Sequence, residues 1–135
     1  MAKTILIADD NDDLRSLIGY QLQMRGYRIL TASDGFQAVK ICQSERPDLV
    51  IMDIMMPGKD GTEAGAEIKS DPKTMKIPII YLTSLLQDSE GRESDSEDTG
   101  RAAGLSLPKS IPMEFLVRKI EQVLSESNRG QDFLG

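Results

Sequence analysis

The sequence predicts an α/β fold: a doubly wound, five-stranded parallel sheet in the flavodoxin-like order 2-1-3-4-5, with helices on both faces. Short apolar runs rich in β-branched residues alternate with segments of helical periodicity, five times along the chain. The segments between them are short, and short right-handed crossovers are the connections that build parallel sheets. This strand order places the first and third strands side by side.

The first part of the chain contains two strand–helix pairs. Residues 5–8 form an apolar run that predicts a buried strand, and the helix after it begins at an asparagine or aspartate cap and ends at Gly26. Residues 27–32 alternate apolar and polar side chains, which predicts a second strand. Apolar residues at helical spacing then predict a second helix that stops before Pro47.

The second part repeats this alternation with shorter elements. Residues 48–52 predict a third buried strand, and residues 62–69 a short helix after a glycine- and proline-containing loop. Residues 77–82 predict a fourth strand and residues 105–107 a short fifth one. Pro112 opens the final helix, in the first turn where proline is tolerated.

The helical pattern fails between the fourth and fifth strands. Residues 87–100 contain no apolar side chain, and six acidic residues surround a single arginine. A helix there would have no face to bury, so we expect an atypical fourth helix or a solvated, mobile loop. A docking surface for a basic partner is the alternative interpretation. We expect one domain over residues 1–127 and a loose tail over residues 128–135.

Composition argues against several classes of function. The chain has 135 residues and a net charge of −6, which predicts no direct contact with nucleic acid, because phosphate contacts need a basic face. No apolar run approaches the roughly 20 residues of a membrane-spanning helix, so no membrane partner is expected. Histidine is absent, which excludes histidine-based catalysis, and the single cysteine indicates a reducing, cytoplasmic compartment.

Acidic residues follow two of the predicted strands. Asp9 and Asp10 come directly after the first strand, and Asp53 comes directly after the third. If these strands are parallel neighbours, their carboxyl ends bring the three carboxylates together at one edge of the sheet. Carboxylates this close repel one another unless a cation lies between them, and hard oxygen ligands suit Mg²⁺. The sequence therefore predicts a magnesium site.

The other strand ends carry groups that suit phosphoryl transfer. Thr83 ends the fourth strand and Lys109 follows the fifth. A carboxylate can act as a nucleophile and form an aspartyl phosphate. Phosphoryl transfer depends mainly on positioning and on neutralising the charge of the equatorial oxygens, which a cation, a hydroxyl and an ammonium group can do.

These motifs, in this order, resemble the receiver domain of two-component response regulators. An Asp-Asp pair precedes an aspartate followed by x-M-M-P-G-x-D-G, then a threonine, then Pro-Lys, and the resemblance runs from about Lys3 to Leu124. It implies that Asp53 is the phosphoacceptor and that a histidine kinase or phosphotransfer protein supplies the phosphoryl group. It also implies signalling by conformational change.

The resemblance implies a ligand set for Mg²⁺. Asp10 and Asp53 would bind the ion directly, together with the main-chain carbonyl of Met55, while Asp9 would act mostly through water. Met55 and Leu85 occupy positions that in this family tune hydrolysis of the phosphoryl group. Both are apolar and neither can orient a water, so we expect a slowly hydrolysed phosphoaspartate.

The resemblance also implies roles for the remaining strand ends. Thr83 would bond a phosphoryl oxygen, Lys109 would pair with the acyl phosphate, and Ser84 would line the site. Two positions depart from the family. Ser106 stands three residues before the lysine, where an aromatic switch residue is usual, and Ser110 follows the lysine, where proline is usual.

The interpretation is a stand-alone receiver that passes its phosphorylation state to a downstream protein partner and does not act as an enzyme on other substrates. One alternative is a pseudo-receiver, an interaction module without phosphotransfer, which the departures at Ser106 and Ser110 support. Another is a Mg²⁺-dependent aspartyl phosphatase. That class usually has a second acid two residues after its nucleophile, and Met55 stands there instead.

Overall fold

Five strands form one parallel sheet, in the order β2-β1-β3-β4-β5, in a computed structural model that describes residues 2–84 and 105–134. The predicted fold class and strand order are confirmed. In chain order the described elements are β1 (Thr4–Ala8), α1 (Asp12–Gln23), β2 (Arg28–Ala32), α2 (Gly35–Glu45), β3 (Leu49–Asp53), α3 (Gly61–Ser70), β4 (Ile79–Thr83), β5 (Leu105–Pro108) and α4 (Met113–Leu134).

The register of the central strands aligns their carboxyl ends. Ala8 at the end of β1 pairs with Met52, one residue before the end of β3. Thr83 at the end of β4 pairs with Pro108 at the end of β5. All four strands therefore finish at one edge of the sheet, as the sequence predicts for parallel neighbours.

Both faces of the sheet are covered by helices, so β1, β3 and β4 are buried on both sides. Alternate residues of these strands point to opposite faces. One core cluster packs β-strand side chains against α2 and α3, around residues such as Val50 and Ile68. The other packs them against α1 and α4, around residues such as Ile51 and Ile120.

Short polar side chains set the starts of the helices. Asn11 caps α1, because its side chain accepts a hydrogen bond from the backbone nitrogen of Leu14 at 3.0 Å. Asp60 and Glu63 form a reciprocal capping box at the start of α3. These caps fix where the chain turns from each strand end into the next helix.

The carboxyl-terminal helix is longer than the sequence suggested. The backbone of α4 stays helical to Leu134, through the residues expected to form a loose tail. No proline interrupts this stretch, and its one glycine, Gly130, costs a helix only about 1 kcal/mol. The acidic segment 87–100 and Leu85 lie outside the described residues. Within the described ranges, no helix is long and apolar enough to cross a membrane.

Candidate phosphoacceptor site

Three carboxylates meet at the carboxyl edge of the sheet. Asp9, Asp10 and Asp53 each offer an oxygen, and these oxygens lie within 4.8 Å of one another. Asp9 and Asp53 are buried, whereas Asp10 is exposed. The register of β1 and β3 produces this cluster, because Ala8 pairs with Met52 and Asp9, which follows β1, therefore lies beside Asp53, the last residue of β3.

Lys109 reaches the two buried carboxylates. Its Nζ lies 3.2 Å from Oδ2 of Asp53 and 3.5 Å from Oδ2 of Asp9. The lysine is held by its own backbone, since its N–H donates to the carbonyl oxygen of Thr83 at 3.0 Å. One ammonium group therefore faces two carboxylates, and the buried part of the site keeps an excess negative charge.

Asp9 is oriented by main-chain and side-chain donors. Its Oδ1 accepts the N–H of Asn11 at 2.8 Å, and its backbone carbonyl accepts Nη1 of Arg15 at 2.6 Å. Its Oδ2 is buried and has no hydrogen bond within the described part of the chain. The ammonium of Lys109, 3.5 Å away, offsets part of the cost of burying this oxygen, and a hard divalent cation such as Mg²⁺ would offset more of it.

The electrostatics of Asp53 follow from burial. Desolvation and the neighbouring charge of Asp9 raise the pKa of Asp53 to about 6, against the lowering effect of Lys109 and of the Met55 N–H. That N–H donates to Oδ1 of Asp53 at 3.3 Å. For Lys109, desolvation lowers the pKa, but the two carboxylates outweigh it and leave that pKa raised.

The remaining predicted residues lie at the same edge. Thr83 is buried at the end of β4, and Ser84 follows it and is exposed. The side chain of Met55 is exposed on the loop after β3. Sequence reasoning missed Arg15, because an arginine on an amphipathic helix is ordinarily solvated and its spacing from Asp9 carries no recognisable signal.

The structure shows the surroundings of Ser106 and Ser110, the two positions that depart from the receiver pattern. Ser106 on β5 pairs with Tyr81 on β4, and Tyr81 is buried. An aromatic ring is therefore present beside this position, but it belongs to the neighbouring strand. The described residues contain no cis peptide bond, so the backbone from Lys109 to Ser110 is trans.

Comparison with known proteins identifies relatives of one kind. Residues 5–120 match the family model described as the response regulator receiver domain. The phosphate regulon transcriptional regulatory protein PhoB of Pseudomonas aeruginosa is 35% identical over 132 residues, covering 96% of this chain and 55% of that protein. The alkaline phosphatase synthesis transcriptional regulatory protein PhoP of Bacillus subtilis is 38% identical over 84 residues, covering 62% of this chain and 34% of that protein.

Solved structures agree with the fold. The chemotaxis protein CheY4 of Vibrio cholerae superposes with a TM-score of 0.77 at 28% identity, covering 91% of this chain and 99% of that one. The two transcriptional regulators are longer: the chain spans only 55% and 34% of their lengths.

The prediction about partners is wrong in its exclusion of nucleic acid. It depended on the net charge of −6, whereas the curated relatives are named as transcriptional regulatory proteins. The charge of a receiver reports on the receiver surface and not on what the rest of a longer regulator binds.

Proposed function

The chain belongs to the family of response regulator receiver domains, and on that premise we propose that it accepts a phosphoryl group on Asp53 and signals by the resulting change of conformation. The observation that carries this proposal is the convergence of Lys109 Nζ on the Asp53 carboxylate, at 3.2 Å, beside two further carboxylates. A buried nucleophile, an ammonium group and a cation site are together the requirements of phosphoryl transfer to a carboxylate.

In the proposed transfer, a carboxylate oxygen of Asp53 attacks the phosphorus atom of a phosphohistidine. The P–O bond to Asp53 forms as the P–N bond breaks, and the departing imidazole keeps the bonding electron pair and takes up a proton. The chain contains no histidine, so the phosphohistidine belongs to another protein, and the proposed donor is a histidine kinase or phosphotransfer protein. Asp53 is itself modified, so the chain does not turn over a separate substrate.

The site also supports a role for Mg²⁺. Asp10 and Asp53 would hold the ion with the Met55 carbonyl, and Asp9 would act mostly through water. The buried Oδ2 of Asp9, which has no hydrogen bond to the described residues, supports this assignment. When bound, the ion supplies positive charge that offsets the carboxylates and the phosphoryl oxygens.

Lys109, Thr83 and Ser84 complete the proposal. Lys109 already pairs with Asp53 and would move its hydrogen bond to a phosphoryl oxygen after transfer. The buried hydroxyl of Thr83, at the end of the adjacent strand, would bond a second phosphoryl oxygen, and Ser84 would line the rim. The free, buried thiol of Cys42 agrees with a cytoplasmic location for this chemistry.

Intact-mass spectrometry after treatment with Mg²⁺ and a small acyl-phosphate donor tests the proposal. We expect the wild-type chain to gain the mass of one phosphoryl group and Asp53→Asn to gain none. Labelling of Asp53→Asn would place the nucleophile elsewhere. A folded wild-type chain that is never labelled, by the small donor or by phosphohistidine proteins, would favour the pseudo-receiver alternative.

A further inference from the structure

The loop between β3 and α3, residues 54–60, is anchored to the first turn of α2. The backbone N–H of Gly35 donates to the carbonyl oxygen of Lys59 at 3.1 Å. A Cβ atom on Gly35 would lie 2.2 Å from that oxygen, so the two backbones approach as closely as only glycine allows. This contact joins two segments that are distant in sequence.

The ring of Phe36 adds a side-chain contact to the same loop. Phe36 is 60% exposed, so it fills no core. Gly58 adopts a left-handed φ of +76°, and a Cβ atom added to it would lie 3.1 Å from a carbon of the Phe36 ring, so the ring lies against this glycine. The Nζ of Lys59 lies 5.1 Å from the ring centroid, within the range of a cation–π interaction.

Lys59 also contacts α3. Its Nζ is 2.7 Å from Oε1 of Glu67 on α3. The ammonium of Lys59 therefore has two partners, the ring of Phe36 on α2 and the carboxylate of Glu67 on α3. Through Lys59, the loop contacts both α2 and α3.

The other end of this loop contacts the phosphoacceptor. The N–H of Met55 donates to Oδ1 of Asp53 at 3.3 Å, and the N–H of Gly61 donates to the carbonyl of Ile54 at 2.7 Å. A Cβ on Gly61 would lie 2.2 Å from the backbone oxygen of Asp53. A displacement of the loop therefore changes the position of Met55 relative to Asp53.

We propose that Phe36 is a positioning residue of the phosphoacceptor site: its ring, packed on Gly58 and beneath the ammonium of Lys59, holds the loop that carries Met55 beside Asp53. The inference depends on the proposed function for its link to phosphorylation. It identifies a residue outside the acidic cluster that determines how well the cluster holds a divalent cation. Phe36 acts through the loop and touches none of the reacting atoms.

The test compares Phe36→Ala with the wild-type chain. We expect the dissociation constant for Mg²⁺, measured by calorimetry, to rise about fivefold, the size of an exposed cation–π contact and its packing. Amide exchange within residues 54–60 should become faster. The Mg²⁺ concentration for half-maximal phosphorylation should rise, while the rate at saturating Mg²⁺ stays the same. Phe36→Tyr, which keeps the ring, should restore all three measurements.

Phe115→Ala is the matched control. Phe115 is a second exposed phenylalanine, 48% accessible, with Arg118 at 5.9 Å from its ring, and it lies on α4 away from the loop. This variant should leave Mg²⁺ binding and loop exchange unchanged. If Phe36→Ala behaves like Phe115→Ala, the inference is overturned.

A second variant keeps the inference testable if Phe36→Ala does not fold. Lys59→Met keeps the aliphatic stem and removes the ammonium, so it should raise the Mg²⁺ dissociation constant in the same direction as Phe36→Ala. An unchanged constant in Lys59→Met would also contradict the inference. A wild-type chain that binds Mg²⁺ but is not phosphorylated would overturn the proposed function alone, because calorimetry and amide exchange still decide the role of Phe36.

Discussion

Lys109 Nζ lies 3.2 Å from Oδ2 of Asp53, although the two residues are 56 positions apart. The contact spans β4, since Asp53 ends β3 and Lys109 follows β5. It brings a positive charge to a carboxylate that burial and Asp9 would otherwise leave uncompensated. The first two predictions follow from this pair.

Replacing Lys109 by methionine keeps the stem and removes the ammonium. Without divalent cations at pH 8, we expect the free energy of unfolding to fall by about 1–3 kcal/mol, because two buried carboxylates lose their cationic neighbour. Urea denaturation measures this. Lys73→Met, which alters an exposed lysine on the α3–β4 connection, should change stability little. Equal stability of Lys109→Met and the wild type would mean that the pair contributes nothing.

The pH dependence of stability should report the raised pKa of Asp53. Its folded pKa is about 6 and its ordinary value 3.8, so its contribution to stability is complete below pH 3.8 and is lost as the pH rises through 6. Relative to the wild type, Asp53→Asn should therefore gain about 1–3 kcal/mol between pH 4 and pH 8 without divalent cations. Denaturation curves at several pH values check this, and a constant difference would contradict it.

Addition of Mg²⁺ should stabilise the folded chain through the acidic cluster. At a concentration ten times the dissociation constant, we expect the free energy of unfolding to rise by about 1.4 kcal/mol. Asp10→Asn should reduce this gain, because Asp10 is an exposed member of the cluster. Asp13→Asn removes an exposed acid three residues further along the chain and should keep the full gain in stability. The same gain in both variants would place the ion elsewhere.

The side chain at position 55 should control the lifetime of the phosphorylated state. Met55 is exposed on the loop beside Asp53 and cannot orient a water. Met55→Asn introduces hydrogen-bonding groups there, so we expect hydrolysis to become about tenfold faster, which is roughly 1.4 kcal/mol of barrier. Loss of the phosphorylated mass with time provides the measurement. An unchanged or longer lifetime would count against water positioning from this residue.

A helical glycine should prove intolerant of alanine because of a tyrosine. A Cβ on Gly65 of α3 would lie 1.8 Å from the hydroxyl oxygen of Tyr81. We expect Gly65→Ala to cost about 1–3 kcal/mol, although alanine is the better helix former. Thermal denaturation of the double-mutant cycle with Tyr81→Phe should show part of this cost removed.

Gly19→Ala is the matched control for that cycle. Gly19 is also buried within a helix, but its added Cβ would meet only ordinary contacts, at 3.5 and 3.7 Å. We therefore expect it to be neutral or stabilising. A cost at Gly19 equal to that at Gly65 would indicate that any helical glycine in this fold is sensitive, whatever its neighbours.

Much of the fold could be predicted from short-range pattern alone. Apolar runs followed by an acid, such as the run that ends at Asp53, mark both a buried strand and the edge at which it finishes. The start of a helix could also be predicted from local sequence, because the cap at Asn11 is an interaction within four residues. The end of α4 was less predictable, because no residue there forces the helix to stop.

The candidate site was likewise predictable only in part. Chain order and strand period were sufficient to predict that Asp9, Asp10 and Asp53 would meet, since parallel neighbours share an edge. They could not predict that Asp10 would be exposed while Asp9 has an oxygen without a hydrogen bond. Nor did any local signal mark Arg15, whose guanidinium supports the loop of Asp9.

The amino-acid pattern alone was enough to specify the sheet, its acidic edge and the residue types that suit phosphoryl transfer, because those follow from periodicity and from neighbours along the chain. The raised pKa of Asp53, the reach of Lys109 across β4 and the contact of Phe36 with Lys59 emerged only in the folded chain. Each depends on desolvation or on a distance between residues remote in sequence, and both quantities exist only after the chain has packed.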